Sequence, residues 1–213
     1  MAKYKSGIIG PLSGKMGNAV AVNWRGVEYL REAPDKRGSN GTGKQLEQRF
    51  KFALVSGWLQ PLRDVIWVGY GNFKGSKTPM NGCIGYHLVH ALKQDDEGVW
   101  AIDFEKAVFS RGELLMSYVY EVQISAGRVL KIRWEGSGNS VFSAPDDKAT
   151  FIVYSPDCRQ FAIFDRVCDR GASGTDLKLP VVFAGSCVQV WMHYVNITGD
   201  AVSTTLYLGK LEA

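Results

Sequence analysis

From about residue 99 onward, apolar side chains recur at every second position. Leu114, Met116, Tyr118, Tyr120, Val122 and Ile124 form one such run, Leu130, Ile132 and Trp134 a second, and Val188, Val190, Met192 and Tyr194 a third. A strand turns successive side chains to opposite faces, whereas a helix needs its apolar stripe at spacings of three and four, so this pattern selects half-buried strands. Further runs at Ile102 to Phe109, Ala149 to Tyr154, Gln160 to Val167, Leu179 to Phe183 and Val202 to Leu208 are separated by Gly, Ser, Pro and Asp turns. About eight short strands at this spacing predict an antiparallel, immunoglobulin-like β-sandwich with Greek-key connections. The runs share no recurring signature of the kind that marks a propeller or solenoid.

The period is different before residue 98. Leu46, Phe50, Ala53, Leu54, Gly57 and Trp58 fall at helical spacing, which predicts an apolar stripe with Lys44, Glu47, Gln48 and Lys51 pointing away. Thr42 and Gln45 have the spacing of a capping box, and Pro61 ends or kinks the helix. A second helical piece is expected from Leu62 to Val68, a loop over 69–82 and a short helix from Gly82 to Lys93. The acidic stretch Gln94-Asp95-Asp96-Glu97-Gly98 is the natural boundary. The expected fold is therefore mainly β with a small α part: an N-terminal basic hairpin and helical unit over 1–97, then the sandwich over 98–213.

Within the first unit, Val20, Val22 and Trp24 alternate with Ala19, Ala21 and Asn23, and Arg25-Gly26 makes a turn into Val27, Tyr29 and Arg31. This predicts a hairpin with Trp24 and Tyr29 near one face. A two-stranded, glycine-rich arm is marginal in water and should dock against its own sandwich or a neighbouring copy, for example by strand addition. The candidate interaction residues are Ser13, Lys15, Val20, Val22, Trp24, Arg25, Tyr29 and Arg31.

Charge sharpens that expectation. Residues 1–77 carry 13 Lys and Arg against 5 Asp and Glu, a net of +8, while residues 78–213 carry 12 against 16, a net of −4. The two segments are electrostatically complementary, which favours docking or head-to-tail assembly over a nucleic-acid patch. For Lys36, Arg37, Lys44, Arg49 and Lys51 only a weak, salt-sensitive attraction to phosphates is expected. The basic start is broken by Gly7, Gly10, Pro11 and Gly14, and no run approaches the roughly 18 apolar residues of a membrane helix, so synthesis in the cytoplasm without membrane insertion is expected. Cys83, Cys158, Cys168 and Cys187 lie far apart and read as free thiols, with Cys158 and Cys168 the best pair if one exists.

No residue earns a catalytic, cofactor or metal assignment. Gly38 to Gln45 matches a phosphate-binding loop at both glycines and the lysine, but Gln45 stands where a magnesium-binding hydroxyl is needed and no apolar strand precedes it. Cys83, His87 and His90 would share a helix face, yet they lack the further ligands of a structural zinc site. His193 has no nucleophile motif beside it, and Asp95-Asp96 and Asp146-Asp147 read as solvated turn residues. Trp134 belongs with the core, whereas Trp191 is the tryptophan most open to exposure and hence to a ligand.

The pattern Gly10-x-x-Ser13-Gly14-Lys15-x-Gly17-x-x-Val20-x-x-x-Trp24-Arg25-Gly26-x-x-Tyr29-x-Arg31, followed by Gln45-x-x-x-Arg49-x-x-Phe52 and a late Tyr207-Leu208-Gly209, resembles an uncharacterised bacterial family of unknown function. The departure is at Gly38 to Gly43, where the family usually carries an Asn-Pro-Arg-Thr-like helix entry. The resemblance implies the same hairpin, helix and β-rich half, and brings no reaction. A weaker similarity to phage structural proteins implies assembly, with a virion or extracellular assembly as the destination. The expected function is a non-enzymatic structural or interaction protein that self-associates or binds another assembly protein. The alternative is a ligand-binding module for glycans or nucleic acid, built on exposed aromatic and basic residues.

Overall fold

The computed structural model describes residues 2–3, 12–24, 26–34, 41–72, 77–95, 97–136 and 140–213. The chain forms two compact units, Met1–Leu46 and Glu47–Ala213. The first is a four-stranded antiparallel sheet of β1 (Ala2–Lys3), β2 (Gly14–Met16), β3 (Ala19–Trp24) and β4 (Val27–Glu32), in the order β1-β4-β3-β2. The predicted hairpin is β3–β4, with Trp24 opposite Val27 and Val22 opposite Tyr29. The Gly17 and Gly26 backbones lie in the left-handed region that tight hairpin turns demand.

The first helix starts where its capping box predicts. In α1 (Gly43–Leu59) the Thr42 hydroxyl accepts from the Gln45 N–H at 3.4 Å and the Gln45 amide oxygen accepts from the Thr42 N–H at 3.1 Å. Pro61 lies in a 3-10 turn, Gln60–Leu62, that leads into α2 (Arg63–Gly69). A proline at the first helical position and the Thr78 hydroxyl open α3 (Pro79–His90), three residues earlier than periodicity suggests. Two short strands, β5 (Leu92–Gln94) and β6 (Trp100–Ile102), pair across the acidic turn, where Asp95 accepts from the N–H groups of Glu97 and Val99.

Seven antiparallel strands then divide between two sheets. β7 (Val119–Ser125), β8 (Val129–Trp134) and β11 (Gly174–Lys178) run in the order β11-β8-β7. β9 (Lys148–Ser155), β10 (Gln160–Asp169), β12 (Cys187–Val195) and β13 (Leu206–Glu212) run in the order β10-β9-β12-β13. Leu130, Ile132 and Trp134 of the first meet Phe151, Val153, Val188, Val190, Met192 and Tyr194 of the second in one apolar core. The chain is thus mainly β and antiparallel with a small helical part.

Sequence periodicity misplaces some elements. β11 has a single buried side chain, Leu177, among Gly, Thr, Asp and Lys, too little to register as a strand pattern. The runs expected as strands at 102–109 and 179–183 become 3-10 turns at Phe104–Lys106 and Val181–Phe183; in the second, Pro180, which has no N–H for a ladder, stands just before the turn.

The other face of the four-stranded sheet is also covered. Ile152, Tyr154 and Trp191 pack with Val55, Leu59, Leu62, Ile66 and Tyr70 of the helical region and with Phe109 in a second core. From Glu47 onward α1, together with α2 and α3, belongs to the same compact unit as these two sheets, Glu47–Ala213, whereas the expected division lay between residues 97 and 98. This second core also corrects the expectation for Trp191: it is fully buried, with its indole N–H donating to the Phe104 carbonyl at 3.0 Å.

Candidate functional site

Residues directly opposite in a sheet share a face, so the register of the N-terminal sheet sorts the candidate interaction residues. Lys15 faces Val20, which faces Arg31; Val22 faces Tyr29; Trp24 faces Val27. Six of the eight candidates, Lys15, Val20, Val22, Trp24, Tyr29 and Arg31, thus lie on one face. Ser13 is exposed just before β2, and Arg25 lies outside the described residues. On this face Trp24 is 46% exposed and Val27 39%, while the opposite face carries Met16, 46% exposed, and Ala21, the sole buried hydrophobic residue described in Met1–Leu46. The expected apolar stripe of α1 is only half used: Leu46 and Phe50 are 48% and 50% exposed, and burial begins at Leu54 and Val55.

The chemically suggestive motifs resolve into structural roles. Gly38 to Asn40, Lys36 and Arg37 lie outside the described residues, and Gln45 is engaged as a helix cap. His87 is buried with its Nδ1 2.9 Å from the Cys83 carbonyl and its Nε2 accepting from the Val108 N–H at 3.3 Å. Both ring nitrogens are thereby committed, Nδ1 as donor; burial pulls its pKa down to about 4 and pushes the Cys83 thiol up to about 12. Among the described residues no cluster of three His, Cys, Asp or Glu side chains could hold a metal ion. All four cysteines are free thiols.

Asp147 departs from its solvated-turn reading. It is 1% exposed and paired with Arg170, itself fully buried, at 2.9 Å. The guanidinium lies 3.8 Å from the centre of the Tyr194 ring, and the Arg170 carbonyl accepts from the Trp134 indole. These contacts pin the strand end of β10 to both sheets.

A cleft of about 430 Å³ lies between α2 and the sheet of β10, β9, β12 and β13. Asp64 and Trp67 of α2, with Pro61, Val65 and Val68, line one wall; Ile163, Asp165 and Arg166 of β10 and His193 and Val195 of β12 line the other. The wall on β10 is shaped by a bulge, because pairing with β9 shifts between Phe164 and Cys168. There Arg166 adopts a φ of 51°, a left-handed conformation that L side chains rarely take. Thr150 holds it: its hydroxyl accepts from the Arg166 N–H and donates to an Asp165 carboxylate oxygen, each at 3.0 Å. The other Asp165 oxygen accepts from the Arg166 Nε at 3.1 Å. His193, the cross-strand partner of Thr150, is 1% exposed, and its Nδ1 has no hydrogen-bond partner. Burial pulls its pKa down to about 4 despite the nearby Asp165 carboxylate, so it is neutral at pH 7.

The model of a family of unknown function (DUF6266) matches the chain over residues 11–209. The chain belongs to this family. Neither the curated proteins nor the solved structures yield a match. Among the described residues of this DUF6266 chain, no helix is long and apolar enough to cross a membrane.

Family membership assigns no site, so the cleft stands on its geometry alone. The sequence reading weighed His193 and gave it no role, and it did not single out its neighbours Asp64, Trp67, Asp165 and Arg166. Their signal was weak: Trp67 follows Ile66 in a short apolar helix, and Asp165-Arg166 interrupts an otherwise alternating strand.

Proposed function

We propose that this chain is a non-enzymatic structural protein that self-associates through the face of its N-terminal sheet carrying Lys15, Val20, Val22, Trp24, Tyr29 and Arg31. One observation carries the reading: a four-stranded sheet in which Ala21 is the sole buried hydrophobic residue described, while Trp24 on the face in question is 46% exposed. A sheet needs an apolar face packed on something to be stable, and aromatic and Arg residues are the side chains that anchor interfaces. The occupant is a second copy. The +8 of residues 1–77 against the −4 of residues 78–213 makes one copy's basic segment complementary to another's acidic one.

The face, rather than an edge, supports association. The edge strand β2 is three residues long, too short for the extended ladder that strand addition requires. A phage-like or surface assembly, in a virion or outside the cell, is the destination we propose for such a protein. Hydrogen exchange at two protein concentrations tests the association: amides of β3 and β4 should gain protection as concentration rises, and protection independent of concentration would oppose it.

The alternative, a ligand-binding module, is favoured by a different observation, the cleft at His193.

A further inference from the structure

We infer that the cleft between α2 and the β10 bulge binds a neutral sugar ring, a pyranose unit of a glycan, with Trp67 as the stacking platform. The inference is independent of self-association. The cleft's volume of about 430 Å³ lies within the range of roughly 300–1,000 Å³ usual for small-molecule sites.

Charge narrows the ligand. Asp165 and Arg166 are paired to each other, and Asp64 adds a second carboxylate. An anion such as a phosphate would face two carboxylates, and a cation would face the guanidinium. A polyol avoids both conflicts, because each hydroxyl both donates and accepts: carboxylate oxygens take its protons and the guanidinium N–H groups reach its lone pairs. Trp67 is 58% exposed and supplies a flat apolar surface. Its electron-rich face suits the weakly positive C–H face of a pyranose.

His193 adds the group that a dry core would not leave there. Its Nδ1 is buried and unpartnered, an unfavourable state unless a ligand or water completes it. A neutral imidazole offers one donor and one acceptor, so a hydroxyl satisfies Nδ1 in either tautomer. The Arg166 backbone points the same way, since left-handed residues kept inside a strand gather at binding sites, and Thr150 fixes this one from both sides.

The test is a titration of the full chain with cellotetraose, maltotetraose and chitotetraose, followed by saturation-transfer NMR and by the imidazole nitrogen signals of His193. At least one of them should bind saturably and shift the His193 Nδ1 resonance. Trp67→Ala should weaken that binding by about tenfold or more, a loss of about 1.4 kcal/mol, with an unchanged melting curve, since the side chain is exposed. Asp64→Asn should weaken it severalfold. No binding by any of the three at millimolar concentration, or binding that Trp67→Ala leaves intact, overturns the inference. So does competition by hexathymidylate or by N-acetyl-lysine amide, which would place an anionic or cationic ligand in the cleft.

Discussion

The ring of Trp58, on α1, meets the ring of Trp191, on β12, edge-on at 6.3 Å between centroids. Trp58 also touches His87, Phe104, Phe109, Tyr154 and Phe161, so one indole joins the helices to the outer face of the sheet. Trp191→Ala should therefore destabilise the unit Glu47–Ala213 by about 3–5 kcal/mol, the usual loss for a large aromatic truncated in a packed core. Urea unfolding followed by far-UV circular dichroism measures it. Helix and sheet signals should be lost together; separate transitions would mean that the helices fold apart from the sheets.

The buried pair of Asp147 and Arg170 has an asymmetric cost. Asp147→Ala strands a guanidinium with no solvent exposure and should cost about 3–5 kcal/mol, because the remaining charge is uncompensated. Replacing both partners together, Asp147→Leu with Arg170→Met, should cost markedly less than Asp147→Ala alone. Equal losses in denaturant midpoint would contradict the pairing.

Acid should weaken the fold before most carboxylates titrate. His87 and His193 are both held down to about 4, whereas their unfolded value is near 6.5. The unfolded chain thus takes up more protons in this window, so their contribution is fully present above about pH 6.5 and is lost as pH falls toward 4. By pH 5.5 the loss should reach roughly 1 kcal/mol for each histidine. Urea midpoints at pH 7.5 and 5.5 give the comparison, and a flat profile would mean that one or both rings are solvated.

Arg166→Gly separates strain from stability. Glycine adopts the left-handed conformation at no steric cost, while a side chain there costs about 1–2 kcal/mol. The lost contact to Asp165 is a half-exposed ion pair worth about 0–1 kcal/mol. The variant should be as stable as the parent or up to about 1 kcal/mol more stable by thermal melting. A clear loss would show that the guanidinium, rather than the Thr150 bonds, holds the bulge.

How much was legible in the sequence follows from what periodicity measures. It finds β3, β8 and β12 because their side chains alternate, and α1 because Thr42 and Gln45 cap it. It does not say what lies over a face. Trp191 sits on the face opposite Val190 and Met192 and looked free, yet the helical layer covers it. Leu46 and Phe50 share the spacing of a buried stripe, yet they lie before the stretch of α1 that reaches the core. The cleft was harder still, since Asp64, Trp67, Asp165 and His193 come from three elements that the chain order separates by up to 129 positions, the interval from Asp64 to His193.

The most direct test of the account is sedimentation velocity of the full chain beside a variant carrying Trp24→Ala, Lys15→Glu and Arg31→Glu. These positions lie on one face of the N-terminal sheet, outside both apolar cores. A truncated interface tryptophan alone is worth about 2 kcal/mol or more, so the dissociation constant should rise by about thirtyfold or more. The account predicts a concentration-dependent oligomer for the parent and a monomer for the variant, with the same melting curve for the unit Glu47–Ala213. A parent that stays monomeric at every concentration, or a variant that assembles as the parent does, would contradict it.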